Sequence, residues 1–454
     1  MTETVSLYKA REKIYPRETA GIFQRLRAIA VWALLGLYYL IPWLNIDGRQ
    51  AVLFDLPNRK FTILGMVFWP QDFILLTLLL IMAALTLFLF TALAGRLWCG
   101  YVCPQTVWTE TFIWIERWVE GDRAKQIRLD AMPWNGEKVF KKGLKHTLWI
   151  VFALWTGFTF VGFFSPIRQF GADLLAWDIG GWEMFWLFFY SFATYGNAGW
   201  MREQVCIYMC PYARFQSAML DKDSMVIAYD ANRGEPRGRR GKDTDLEKAN
   251  LGSCVDCTMC VQVCPTGIDI RDGLQIECIG CAACVDVCDS VMEKVGYPKG
   301  LVKYTTENAL EGKASKVIRP RIVIYVTVWF ALAIGTLTLI LTRSDIELDI
   351  IRDRTSLYRT TSYGLIENAY LLRLVNKANA PRTVNLSASG INGLEIIGEQ
   401  TIELPAGEVQ ERAITLRVDP VNLKSKISEV HLELSTDGEP LLSEETRFIG
   451  ELIR

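Results

Sequence analysis

Five long uncharged apolar runs constrain this chain more than any other feature: Ala28–Leu44, Phe73–Ala94, Leu148–Phe164, Met184–Met201 and Ile322–Thr342. Each has 17 to 22 residues, the length a helix needs to cross roughly 30 Å of hydrocarbon. A backbone in lipid must satisfy its own polar groups, so these runs are expected to be transmembrane helices. The second and fifth are the clearest. The first and third are near the short limit, where a buried helix competes. The 51% apolar content, with 15 Trp and 22 Phe, is concentrated in long uncharged runs. No small-residue cleavage site stands out near the first run, so it is expected to be an anchor rather than a removed signal peptide.

Loop charge sets the expected orientation. Residues 1–27 hold six basic residues (Lys9, Arg11, Lys13, Arg17, Arg25 and Arg27), and the 95–147 loop holds nine. The 45–72 loop holds three, and 165–183 only Arg168. The expected layout is therefore a cytoplasmic segment 1–27, a four-span membrane domain 28–201, a cytoplasmic segment 202–321, a fifth helix 322–342 and an external domain 343–454. In that last domain Tyr370–Val375, Thr383–Ser389, Arg412–Val418 and Val430–Leu434 alternate apolar and polar residues. Turn signals separate them: Asn-Lys-Ala-Asn, Pro-Ala-Gly and Thr-Asp-Gly. Such spacing argues a periplasmic β-sandwich of about 100 residues. It has no cysteine, and His431 is expected on a strand surface.

Eight of the 12 cysteines lie in the middle of a ferredoxin-like stretch, about 245–295. Cys254, Cys257, Cys260 and Cys264-Pro265 form one C-x2-C-x2-C-x3-C run, and Cys278, Cys281, Cys284 and Cys288 form a second. Three closely spaced thiolates hold one corner of a cubane while the fourth reaches the neighbouring cluster. Two [4Fe–4S] clusters are expected, one on Cys254, Cys257, Cys260 and Cys288, the other on Cys278, Cys281, Cys284 and Cys264. Zinc also uses C-x2-C pairs, but two complete four-cysteine runs suit clusters better. Asp289 stands where a proline usually follows the last cysteine, a change expected to act on local solvent exposure.

The other four cysteines form Cys99-Gly-Tyr-Val-Cys103-Pro104 and Cys206-Ile-Tyr-Met-Cys210-Pro211, each five residues beyond an apolar run. This reads as a repeated helix–helix–CxxxCP unit, with both motifs at the cytoplasmic face. If the motifs are helical, i and i+4 place paired sulfurs on one face. Soft thiolates favour Cu(I) and also bind zinc. A metal or thiol redox site is the favoured reading. Buried packing and a third cubane remain alternatives, while a disulfide is disfavoured in a reducing compartment.

Several classes are excluded. A net charge of −1 offers nothing to nucleic acid. The two histidines, His146 and His431, do not supply a bis-histidine haem within the spans. There is no P-loop, Rossmann fingerprint or hydrolase triad. The basic run Arg237-Gly-Arg-Arg240-Gly-Lys242 is expected to be a solvated linker that could also face anionic headgroups. Asp72, Glu183 and Arg168 sit at span edges, where charges commonly carry no function.

Together these features resemble the FixG/RdxA/CcoG family, accessory proteins of cbb3-type cytochrome c oxidase. The matching stretches are Lys13-Ile-Tyr-Pro-Arg17, Arg49–Pro57, Phe68–Phe73, Gly95–Gln105, the ferredoxin-like segment and Asp349–Arg354. The CxxxCP pair alone is less specific, because polyferredoxin subunits of nitrate and nitrous-oxide pathways carry similar motifs. The resemblance implies an immunoglobulin-like tail, a bacterial inner-membrane location and a cupric reductase role that supplies Cu(I) for the oxidase copper centre. Copper would then face Cys99, Cys103, Cys206 and Cys210. Partners would be the bilayer, oxidase assembly factors and copper chaperones. The electron donor and a homodimer stay open. An electron-transfer subunit without copper chemistry and a redox-sensing assembly scaffold are the competing readings.

Overall fold

The structure, a computed structural model, describes residues 13–46, 48–240, 250–378, 380–436 and 438–452. Lys9 and Arg11 of the basic N-terminus, Lys242 of the basic run and the turn residues Asn379 and Asp437 lie outside the described residues. Among the described residues, four helices are long and apolar enough to cross a bilayer: Ile22–Trp43, Pro70–Ala94, Gly136–Val161 and Pro320–Leu341. They cover the first, second, third and fifth apolar runs. Phe73, Ile74, Leu79, Leu80, Ile324 and Phe330 are exposed on two of them, a surface that suits lipid rather than water.

The fourth run is built differently. Its α-helix, Gly181–Thr194, gives way to π-helix over Tyr195–Met201. The sequence there, Tyr-Gly-Asn-Ala-Gly-Trp-Met, is poor in strong helix formers. Asn197 O accepts the π-type backbone bond from Arg202 N at 2.7 Å and a tertiary bond from Gln105 Nε2 at 2.9 Å. The helix Gly136–Val161 starts well before the apolar run that predicted it, because the Asn135 side chain caps it by accepting from Lys138 N. Lys142 and Lys145 in its first half then pair with Glu120 at 3.0 and 2.8 Å.

The chain divides into two units. One comprises 1–44 and 76–335, the other 45–75 and 336–454. In the second unit, all four stretches read as strands are strands, lying within Ile366–Asn376, Arg382–Ser389, Val409–Val418 and Ile427–Thr436. One antiparallel sheet orders Glu395–Ile397, Val409–Val418, Ile366–Asn376 and Ile346–Arg352, with Arg359–Thr360 also on Ile366–Asn376. The other orders Thr401–Leu404, Arg382–Ser389, Ile427–Thr436 and Glu439–Ile449. Tyr370, Leu372 and Leu374 of one sheet share a core with Val384, Leu386, Leu432 and Leu434 of the other. This is the two-sheet packing that alternation along each strand requires. His431 is exposed on its strand, opposite Glu445.

The 45–72 loop belongs to this unit. It forms a three-stranded meander, Val52–Asp55, Lys60–Ile63 and Met66–Phe68, and buries Val67 and Trp69 against Val375 and Val409. Asp72 is therefore more than a charge at a span edge. It bonds Arg343 at 2.6 Å and Lys377 at 3.1 Å, and it accepts from Trp69 N. Glu183 and Arg168, in the first unit, have local partners: Glu183 accepts from Gly180 N and Ser165 Oγ, and Arg168 donates to Trp43 O.

Candidate metal centre

In the first unit an antiparallel strand pair, Val226–Tyr229 with Val302–Thr305, brackets the eight-cysteine segment. The two cysteine runs have the same backbone. Asp256 and Thr258 in the first, and Gly280 and Ala282 in the second, all have φ between 50° and 70°. Three of these four are not glycine, and each costs on the order of 1 kcal/mol in the left-handed region. Successive turns of that kind form concave nests of N–H groups that suit anions and iron–sulfur sites. Helices Met259–Gln262 and Ala283–Val295 follow directly.

The placement of the thiols crosses between the runs. Cys264, Cys278, Cys281 and Cys284 line one small cavity, with Cys260 also on its wall. Burial pushes Cys278 up to about 12 and Cys284 well above the usual thiol range, and in both Cys264 adds to the rise. Burial likewise pushes Cys288 up to about 12, with Cys260 and Cys254 of the first run adding to it. Cys257 is exposed. Metal-free, the raised thiols are protonated at neutral pH, so a metal charge is needed to make them thiolates. Nests, sulfur-lined cavity and donor set all fit [4Fe–4S] clusters. Asp289 accepts from Gly300 N at 2.8 Å, tying its helix to the next loop.

Each CxxxCP motif has its first cysteine inside a helix and its second at an N-cap. Cys99 lies in the α-helix Leu97–Tyr101, and Cys103 caps Pro104–Glu120. Cys206 lies in the π-helix Val205–Met209, and Cys210 caps Pro211–Met219. Proline at the first helical position explains both starts. The pairs are therefore not i and i+4 partners on one regular helix, yet the two motifs do meet. Burial pushes Cys99 up to about 12, with Cys103, Cys206 and Cys210 adding and Arg96 opposing. Burial pushes Cys206 up to about 11, with Cys103 and Cys210 adding. Cys99 Sγ lies 3.5 Å from Gln216 Oε1. Among the described residues, no group of three or more His, Cys, Asp or Glu forms a preassembled single-ion site.

The two cysteine sets are in backbone contact. A Cβ on Gly100 would lie 2.9 Å from Gly280 O and 3.0 Å from Cys281 N and Cα, so only glycine permits this approach. Arg96 donates to Cys278 O at 2.9 Å and to Ala213 O at 3.1 Å, joining the second cluster loop to the helix after Cys210. Asp286, inside the second cysteine run, accepts from Phe23 N and Gln24 N at 3.2 and 2.7 Å. It thereby caps the helix Ile22–Leu40. Arg240 of the basic run donates to Cys254 O at 2.5 Å, so it holds the first cysteine run rather than standing in solvent. Sequence reasoning missed Arg96, Gly100 and Asp286. Only the placement of Arg96 and Gly100 around Cys99, and of Asp286 between Cys284 and Cys288, hinted at them.

A further ionic cluster flanks the second motif. Glu116 is buried and bonds Arg202 at 2.7 Å and Lys145 at 3.4 Å. Despite the cost of burial, Arg202 and Lys145 hold its carboxyl below the usual range. Arg202 stands between the two π-helices with φ 44°, a strained geometry that occurs where surrounding contacts over-determine it. His146 Nδ1 lies 3.0 Å from Tyr195 OH.

Known proteins share these features. Residues 75–121 match a family described as a 4Fe-4S binding domain, 201–307 a 4Fe-4S dicluster domain, and 336–451 an Ig-like fold at the C-terminal of FixG. Nitrogen fixation protein FixG of Rhizobium meliloti (strain 1021) is 38% identical, over 91% of this chain and 85% of its own length. Protein RdxB of Cereibacter sphaeroides is 41% identical over 91% of this chain and 90% of its own. Protein RdxA of the same organism is 39% identical over 88% and 87%. With the cysteine framework, the apolar helices and the Ig-like tail in place, this chain belongs to the FixG/RdxA family of iron–sulfur oxidoreductases.

Proposed function

We propose that the protein is a membrane-bound reductase that converts Cu(II) to Cu(I) for the copper centre of cbb3-type cytochrome c oxidase. In this reading Cys254, Cys257, Cys260 and Cys288 hold one cluster, and Cys278, Cys281, Cys284 and Cys264 the other. Copper is the substrate at Cys99, Cys103, Cys206 and Cys210. The observation that carries the reading is the contact of Gly100 with Gly280 and Cys281, which sets the thiol quartet beside the second cysteine run. When bound, the clusters supply single electrons, and Cu(II) to Cu(I) is a one-electron change. The chain's own part is to hold soft sulfur donors for the product and to fix the two loops together through Arg96.

A second reading follows from the match of residues 75–121, which contain Cys99 and Cys103, to a 4Fe-4S binding domain: the quartet holds a third cluster. Metal content separates the two. The copper reading expects about eight iron atoms per chain, and a Cys99/Cys103/Cys206/Cys210→Ser variant that keeps them while losing tight Cu(I) binding. About twelve iron atoms, falling to about eight in that variant, would establish the cluster reading instead. In the same preparation Cys288→Ser should perturb the paramagnetic signal of the cluster on Cys254, Cys257 and Cys260 and leave the other largely intact.

The proposed topology is N-terminus in and tail out, with five spans in a bacterial inner membrane. It is supported by the cap that Asp286 forms on the first membrane helix, and by the grouping of the 45–75 segment with the tail in one unit. A reporter active only in the periplasm should be active when fused after residue 454 and silent when fused near 240. The reverse pattern would overturn the topology.

A further inference from the structure

Arg27 forms the buried stripe of the helix Ile22–Leu40 together with Val31 and Leu35. It is only 8% exposed, so its head group does not reach out to lipid phosphates. Its guanidinium donates to Gln24 Oε1, its Nε has no hydrogen-bond partner, and among the described residues no carboxylate is close enough to form an ion pair with it. A buried cation without a counter-charge is strongly disfavoured. A negative group beside it would remove that cost.

Arg27 and Cys281 border one cavity of about 50 Å³, room for a few waters and nothing larger. Burial pushes the Cys281 thiol above the usual range, and Arg27 is the foremost charge opposing that rise. A [4Fe–4S] cluster with its four thiolates is an anion, and reduction adds one more negative charge. A fixed positive charge near its sulfur therefore favours the reduced state. The surrounding charges leave that effect in place. Arg96 donates to Cys278 O and acts in the same direction. Glu110 lines the same cavity and acts against it, while Asp286 is engaged by Phe23 N and Gln24 N. At the first cysteine run Arg240 donates to Cys254 O, and Arg271 is offset by Asp256 and Asp269, each at 2.6 Å. We infer that Arg27 is a positioning residue that raises the potential of the cluster bound by Cys281, and so favours the electron on the cluster beside the CxxxCP thiols. The half-reaction is the gain of one electron by that cluster from a one-electron donor such as the neighbouring cluster, with no bond broken and no proton moved. The inference rests on the reading of Cys281 as a cluster ligand, which crossed and uncrossed pairings share, and it does not need copper.

The test is a copper-free dithionite titration of detergent-purified, cluster-loaded protein, followed by paramagnetic resonance. The signal of this cluster is identified by its loss in Cys281→Ser, and that of the first by its loss in Cys257→Ser. Arg27→Gln should make reduction of the Cys281 cluster about tenfold less favourable, a fall of about 59 mV for one electron. The first cluster should move much less, and iron content and visible absorbance should stay at the wild-type level. Arg27→Lys, which keeps the charge, should restore most of the potential. Glu110→Gln should shift it upward, and it carries the test if Arg27→Gln does not fold. An unchanged potential in Arg27→Gln, an equal fall in Arg27→Lys or an equal fall at both clusters would overturn the inference. So would the absence of a rise in Glu110→Gln where that variant alone folds. Loss of Cu(I) binding by the wild-type protein would count against the copper reading and leave these potentials as they are.

Discussion

Replacing Cys257 with Ser should abolish copper turnover by the reduced protein and still leave Cu(I) bound, as the proposed division of labour between the two cysteine sets requires. Cys257 is exposed and lies in the first cysteine run, away from the CxxxCP thiols that influence one another. Losing a ligand there should cost a cluster and its electron. The soft donors at Cys99, Cys103, Cys206 and Cys210 should be untouched. Substituting any of these four should do the opposite: iron and visible absorbance remain and tight Cu(I) binding is lost. The measurement uses reduced, detergent-purified protein, a Cu(I)-specific chromophore and a protein-free control, since free thiols also reduce Cu(II) slowly. Equal turnover in wild type and a cluster-free variant would assign the activity to thiol chemistry alone. The relay or scaffold reading would then lead.

The second large effect is expected far from the cysteines. Asp72→Ala should destabilise the unit formed by 45–75 and the tail by about 3 kcal/mol, the usual cost of removing one partner from a buried ion pair. Asp72 lies between Arg343 and Lys377, and the Lys377 side chain is only 7% exposed. Glu347 at 2.8 Å still offsets part of the Lys377 charge, which holds the loss below the upper end of that class. Asp72→Asn keeps an acceptor for Trp69 N and should cost less. Thermal unfolding and the rate of protease cleavage in the tail would report it. An unfolding midpoint unchanged in Asp72→Ala would show that the pair contributes nothing.

Much of the architecture was legible in the sequence because its causes are local. Bilayer thickness sets the length of an apolar run, and four of the five runs correspond to helices of spanning length. Alternation marked four tail strands because each buries every second residue against the same core. The fourth run shows the limit. Its composition reads as a uniform span, yet it ends in π-helical turns whose Asn197 O also accepts from the distant Gln105. The i, i+4 geometry of CxxxCP failed for a related reason: proline starts a new helix and leaves its cysteine at the cap.

The sequence by itself determined that eight thiols in two equal runs form a two-cluster ferredoxin-like segment, that the chain carries bilayer-length helices and that a cysteine-free sandwich follows them. Ligand spacing and hydrophobic period are properties of a short stretch. Only the tertiary structure decided which distant residues serve those thiols. Gly100 meets Cys281, Arg96 holds Cys278, Asp286 caps the helix Ile22–Leu40 and Asp72 pairs with Lys377. Partners that far apart in the chain share no periodicity. Their pairing comes from how folded elements pack, and a single charge or glycine looks the same in a loop whether or not a partner waits for it.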